Sequence, residues 1–315
     1  MKPLVRITTA FCSLFLATAS FAQTDEPYIY ILGVAQDAGY PQIGCYAEHC
    51  LPGWIDPSLR RGAASIAVIN PISGQKFLFE ATPNLPAQLY ALDLEAPNEN
   101  FQLAGVFLTH AHIGHYAGLM FFGHEAMSAS KQPVYAMPRM FSFLENNGPW
   151  SQLVEFENIR LEALREGAAE SLADIQVTPF LVPHRDEFSE TVGYEIAGPN
   201  KKAVFIPDIN KWSVWNTDLA ALVRSVDYAL IDATFYGDGE LPGRDMSQVP
   251  HPLVTESMDA LSELSSNERA KVWFIHFNHT NPLLNAQSAE SKFVRSQGYN
   301  IATEGVRLQH RKNAW

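Results

Sequence analysis

Three histidines fall within the six residues His110-Ala111-His112-Ile113-Gly114-His115, directly after the apolar stretch Gly105-Val106-Phe107-Leu108. The apolar stretch reads as a buried strand, and residues 116–122 are compatible with a helix. A strand that feeds a helix puts all three imidazoles at the C-terminal edge of a sheet. Burying them there is costly unless something binds them. Neutral imidazole is a standard ligand for zinc and similar ions, so a transition metal is the cheapest explanation.

The rest of the chain reads as α/β. Residues 28–32 form a first strand, followed by a Gly/Pro-rich loop over 33–41. Residues 64–69 and 76–80 read as a hairpin across Pro71 and Gly74. Residues 85–92 read as a helix after the turn Thr82-Pro83-Asn84, and 133–137 as a strand. In the second half, strands are predicted over 175–181, 192–197, 202–206, 228–231 and 271–275, with a helix over 255–264. Strands lead each half and helices flank them, which predicts two sheets packed face to face inside helical layers. No repeat or linker divides the 315 residues.

The first residues carry a different pattern. Lys2 and Arg6 lead into an apolar stretch with Phe11, Leu14, Phe15 and Leu16, closed by Ser20-Phe21-Ala22. This predicts a signal peptide over residues 1–22, cleaved after Ala22, a single domain over 23–315, and a periplasmic or secreted mature protein. The apolar run is shorter than the ~20 residues of a membrane span, so no membrane partner is expected. Without Lys2 and Arg6, 20 of the 22 basic residues remain against 34 acidic ones, a net charge of −14. Such a surface repels phosphate backbones, which argues against nucleic acid and for a small-molecule substrate. Cys45 and Cys50 remain after the leader. A disulfide, a metal shared with His49 and free thiols all stay open. The oligomeric state is not legible.

Four strand ends carry candidate ligands: the histidine run, His184 after Val182-Pro183, Asp208 in Phe205-Ile206-Pro207-Asp208, and His276 in Phe274-Ile275-His276. This order resembles the metallo-β-lactamase fold superfamily, whose signature is His-x-His-x-Asp-His followed by a His, an Asp and a His. The segment from Gly33 to Gln42, with Ala35-Gln36-Asp37-Ala38-Gly39 at its centre, is similar to the pyrroloquinoline quinone biosynthesis protein B group. So are Ala81-Thr82-Pro83-Asn84-Leu85, Asp232-Ala233-Thr234-Phe235, Gly243-Arg244-Asp245-Met246 and the stretch from His276 to Thr280-Asn281-Pro282. Two departures stand out. Ala47 replaces the middle cysteine of that group's cluster, and His110 and His112 supply metal-motif histidines that the group lacks.

The resemblance implies an αβ/βα sandwich of two mixed sheets flanked by helices. It implies a first metal site of His110, His112 and His184, with Asp208 bridging to a second held by His115 and His276. Zinc is the expected metal, with iron or manganese as alternatives. Three imidazoles leave one position for a water whose pKa the metal lowers to about 7. The expectation is therefore an exported metallo-hydrolase of an ester, lactone or phosphodiester, the last slightly preferred, with Asp208, Asp232 and His251 as catalytic residues. The alternatives are a redox or cofactor-maturation enzyme using iron, and a metal-dependent binding protein. Gly114 stands where the superfamily places an aspartate, so the second site lacks a ligand unless water or another residue, such as Asp37, fills the gap. Glu80 is expected to orient a ligand histidine, His279 to stand behind the ligands or in a loop, and His124 to be an exposed residue on the helix after the run.

Overall fold

Fourteen strands carry the chain in a computed structural model that describes residues 26–309; the leader expected over 1–22 lies outside them. The first six strands are β1 (Tyr28–Gly33), β2 (Ser65–Asn70), β3 (Gln75–Phe79), β4 (Gln102–Phe107), β5 (Gln132–Ala136) and β6 (Ile159–Ala163). Then follow β7 (Glu170–Leu172), β8 (Ile175–Leu181), β9 (Val192–Ala197) and β10 (Lys202–Ile206). The last are β11 (Tyr228–Asp232), β12 (Val272–Ile275), β13 (Asn300–Ile301) and β14 (Arg307–Leu308). They form two seven-stranded sheets, ordered β14-β1-β2-β3-β4-β5-β6 and β13-β12-β11-β10-β9-β8-β7. Both are mixed. β1, β2 and β3 pair antiparallel and β3 to β6 parallel, while β7 to β10 pair antiparallel and β10 to β13 parallel. This is the αβ/βα sandwich of the metallo-β-lactamase fold.

A parallel step needs a long crossover, and the helix Leu85–Glu95 supplies the one from β3 to β4. That helix packs with Pro138–Asn146 on the outer face of the first sheet, around Leu85, Leu92, Leu119, Met140 and Leu144. Between the sheets the core is aromatic. Phe79 stacks on Phe107 at 5.0 Å, and Phe107 on Tyr135 at 4.3 Å. Tyr194 and Phe205 of the opposite sheet meet Phe79 edge-on. Burying each such ring stabilises the fold by about 1.5–3 kcal/mol.

The same core fixes the start of the histidine run. The buried Tyr194 hydroxyl donates to the Leu108 carbonyl at 2.5 Å, just past the end of β4. Val192 N–H donates to Thr109 O, and Ala111 N–H to the Ser189 hydroxyl. The expected helix over 116–122 is instead a single α-turn, Ile113–Tyr116, followed by the 3₁₀ segment Ala117–Phe122. Gly118 explains the tightness. Its N–H donates to Ala81 O, and a Cβ there would lie 2.1 Å from the Thr82 carbonyl oxygen. His124 is exposed as expected, but in a turn rather than on a helix. No helix among the described residues is long and apolar enough to cross a membrane.

Candidate metal centre

Parallel strands end on one rim, and that rim collects the candidates. β4 delivers His110, His112 and His115; β8 leads into His184; β10, β11 and β12 end at Asp208, Asp232 and His276. Asp208 is the hub. Its Oδ2 lies 3.4 Å from His110 Nε2, 3.2 Å from His184 Nε2 and 3.7 Å from His115 Nε2. His112 Nδ1 closes the group at 2.9 Å from His110 Nε2 and 3.3 Å from His184 Nε2. His110, His112, His184 and Asp208 each offer a ligand atom within 4.8 Å of the others.

A second group offers Asp37, His115 and His276 within the same span, and a third Asp208, Asp232 and His251. All eight residues singled out by sequence therefore meet, joined by Asp37. The side chains of His184 and Asp208 are almost fully buried in this cluster.

The outward ring nitrogens are held too, which fixes how each imidazole faces the centre. His110 Nδ1 lies 2.8 Å from Thr109 Oγ1, His184 Nδ1 3.2 Å from Asn210 Oδ1, and His276 Nδ1 2.9 Å from Thr234 Oγ1. Glu80 Oε2 faces His115 Nδ1 at 3.5 Å. Thr109, Asn210 and Thr234 were not singled out by sequence. Thr109 and Asn210 stand one and two residues from a candidate ligand, and that adjacency was the available signal.

The residues fit a cation. His115 Nε2 and His276 Nε2 are buried with no hydrogen-bond partner among the described residues, an expensive state for polar atoms. Burial keeps His110, His112 and His276 below the ordinary histidine pKa, so they stand neutral at pH 7, as ligands must be. Burial opposes charge on Asp208, but His251, His110 and His184 hold its carboxyl well below the usual range. Burial likewise opposes charge on His115, yet Glu80, then Asp208 and Asp37, push it up to about 9. Burial is also outweighed at His251, which Asp208 and Asp232 raise well above its ordinary value.

These shifts set a pH dependence. A histidine raised from 6.5 to about 9 on folding stabilises fully below 6.5, and that contribution is lost as pH climbs to about 9. His251 works in the same direction. Metal-stripped protein is expected to melt a few degrees lower at pH 9 than at pH 6.5 in scanning calorimetry. An equal or higher melting temperature at pH 9 would contradict the charge state assigned to His115.

Cys45 and Cys50 form a disulfide, with His49 Nε2 3.4 Å from Cys45 Sγ and the His279 ring beside that of His49. His279 thus belongs to that loop cluster, apart from the rim. An open cleft of about 450 Å³ reaches the centre, bordered by Asp37, Ile113, Arg185, Phe188 and His251.

A family model described as a beta-lactamase superfamily domain matches residues 75–277. Among characterised proteins, the coenzyme PQQ synthesis protein B of Xanthomonas campestris pv. campestris (strain B100) is 27% identical, covering 89% of this chain and 99% of its own. That of Methylobacterium sp. (strain 4-46) is 26% identical, covering 88% and 98%. Among solved structures, Zn²⁺-bound PqqB from Methylobacterium extorquens superposes with a TM-score of 0.74 at 24% identity, covering 90% of this chain and 99% of that one. A diphosphatase from the PhnP family gives 0.61 at 19% identity, covering 90% and 98%.

Proposed function

The chain belongs to the beta-lactamase superfamily, and on that footing we propose that it is a metal-dependent enzyme that converts a small molecule in the maturation of a quinone-type cofactor. One observation carries the metal-dependent part: His110, His112, His184 and Asp208, drawn from three separate strand ends, bring one ligand atom each within 4.8 Å. The end-to-end match to coenzyme PQQ synthesis proteins supports the cofactor role. A zinc or iron ion held by these residues, with a second beside His115 and His276, would supply Lewis acidity and a water of lowered pKa.

The chain's own groups do the rest. Asp208 holds negative charge among the imidazoles, so a divalent cation is favoured over water there. Thr109, Asn210 and Thr234 keep the rings of His110, His184 and His276 in one orientation before anything binds, and Glu80 faces that of His115. His251 lines the cleft with its Nδ1 3.0 Å from Asp232 Oδ2 and 3.2 Å from Asp208 Oδ1, so at neutral pH it holds a proton to give a departing oxygen. At the mouth, the exposed Ile113 and Phe188 offer apolar contact and Arg185 a cation. That rim suits an aromatic acid better than a polyanion, in keeping with the acidic chain. The Lys2/Arg6-led apolar pattern over residues 1–22 supports a periplasmic or secreted setting, and the acidic composition supports a small molecule rather than nucleic acid as partner.

The proton-bearing His251 favours a second reading, hydrolysis of an ester, lactone or phosphodiester, because a leaving alkoxide needs such a donor. Oxygen uptake separates the two. Iron-loaded protein turning over an aromatic acid should consume oxygen, whereas a hydrolase in its zinc form turns over ester or phosphodiester substrates without it. Oxygen-independent hydrolysis by the zinc form, with no uptake by the iron form, would retire the cofactor-maturation reading.

A further inference from the structure

We infer that Asp37, from the loop after β1, is the missing ligand of the second metal position, displaced there from the site that Gly114 leaves bare. This rests on the metal-centre reading above and names the residue that completes it. The geometry is reciprocal. Asp37 Oδ1 lies 3.8 Å from His115 Nε2, and Asp37, His115 and His276 each present a ligand atom within 4.8 Å of the others. A Cβ built on Gly114 would stand 2.4 Å from Asp37 Cα and 2.6 Å from Asp37 Oδ1. The loop therefore fills the volume where a side chain at 114 would sit. An aspartate at 114 and this loop position exclude one another, and the chain has kept a carboxylate at the same place by another route.

Independent observations point to a ligand. His115 and His276 are fully buried, and the Nε2 of each has no hydrogen-bond partner among the described residues. Seven non-glycine residues among those described adopt positive φ, and three of them surround this spot: Asp37 at 41°, Glu80 at 78° and His276 at 71°. Such backbone costs on the order of 1–3 kcal/mol per residue and persists where the surroundings demand it. The loop is also tied to its partner ligand. Gln36 N–H donates to Phe277 O and Phe277 N–H to Val34 O, so Asp37 and His276 are positioned by one pair of backbone bonds.

The test is equilibrium dialysis of metal-stripped protein against Co²⁺, with metal counted per chain and no activity assay involved. Wild type is expected to take up two equivalents. Asp37→Asn keeps the shape and tolerates the positive φ; it should retain the first equivalent at wild-type affinity and weaken the second by at least about 10-fold. Asp186→Asn, which removes an exposed charge near the cleft, should leave both unchanged, and equal melting temperatures of the stripped proteins exclude misfolding. Wild-type affinity for the second equivalent in Asp37→Asn overturns the inference, as does a wild type that binds one equivalent only, which leaves the metal-centre reading standing. A wild type that binds none removes both.

Discussion

Replacing His110 with alanine is expected to lower affinity for the first metal equivalent by more than about 100-fold, and turnover with it. Losing a group that merely orients a ligand costs about 10–100-fold, and His110 is itself one of the converging atoms, with Nε2 2.9 Å from His112 Nδ1 and 3.4 Å from Asp208. Because His110 is fully buried, His112→Ala is the companion variant; its ring is partly exposed, so its loss leaves no sealed void. Elemental analysis of both variants after reconstitution is the measurement. Near wild-type metal content in both would remove these residues from the centre.

The second large effect concerns His251. Its alanine variant is expected to keep its metal and lose about 10²–10⁴-fold in kcat, the range for a lost general acid. The neighbouring hydroxyl, Thr234 Oγ1, is committed to Asp232 Oδ1 at 2.7 Å, which leaves His251 as the proton carrier that lines the cleft there. A donor held protonated by two carboxylates also predicts the shape of the pH profile, with the alkaline limb of kcat disappearing in His251→Ala. Turnover within a few-fold of wild type, with the alkaline limb intact, would assign the proton to another group.

The strand ends were legible because the chemistry and the packing coincide there. Each ligand candidate follows an apolar stretch such as Val182-Pro183 or Phe274-Ile275, so the pattern that predicts a strand also predicts where its polar residue emerges. Element ends were less legible. β4 begins at Gln102, ahead of the apolar stretch, because pairing with β3 at Gln75 and Lys76 carries polar residues into the ladder. β13 and β14 have two residues each and exist only through their neighbours, β12 and β1. The helix expected over 255–264 ends at Ala260, followed by turns rather than a further helical turn.

The supporting shell lay further out of reach. Thr234 sits in a motif readable from sequence, yet its hydroxyl matters because β11 brings it within 2.9 Å of His276 and 3.2 Å of His251. Asp37 could be named as a candidate, but its selection over water depends on how closely the loop after β1 approaches residue 114. No local pattern encodes that approach, since it follows from pairing across the first sheet and from the bonds to Phe277.

The rim also has a mechanical meaning. Asp37, His110, His112 and His115 hang from the first sheet, whereas His184, Asp208 and His276 hang from the second. An ion held between them would be a rivet through the seam of the sandwich. At a free concentration of 1,000 times its dissociation constant, a rivet of this kind would stabilise the folded form by about 4 kcal/mol. Starved of metal, the molecule would lose that fastening along the rim, while the aromatic layer of Phe79, Phe107 and Tyr194 still packs the two sheets together. The supply of metal would then govern how long the protein survives as well as whether it works.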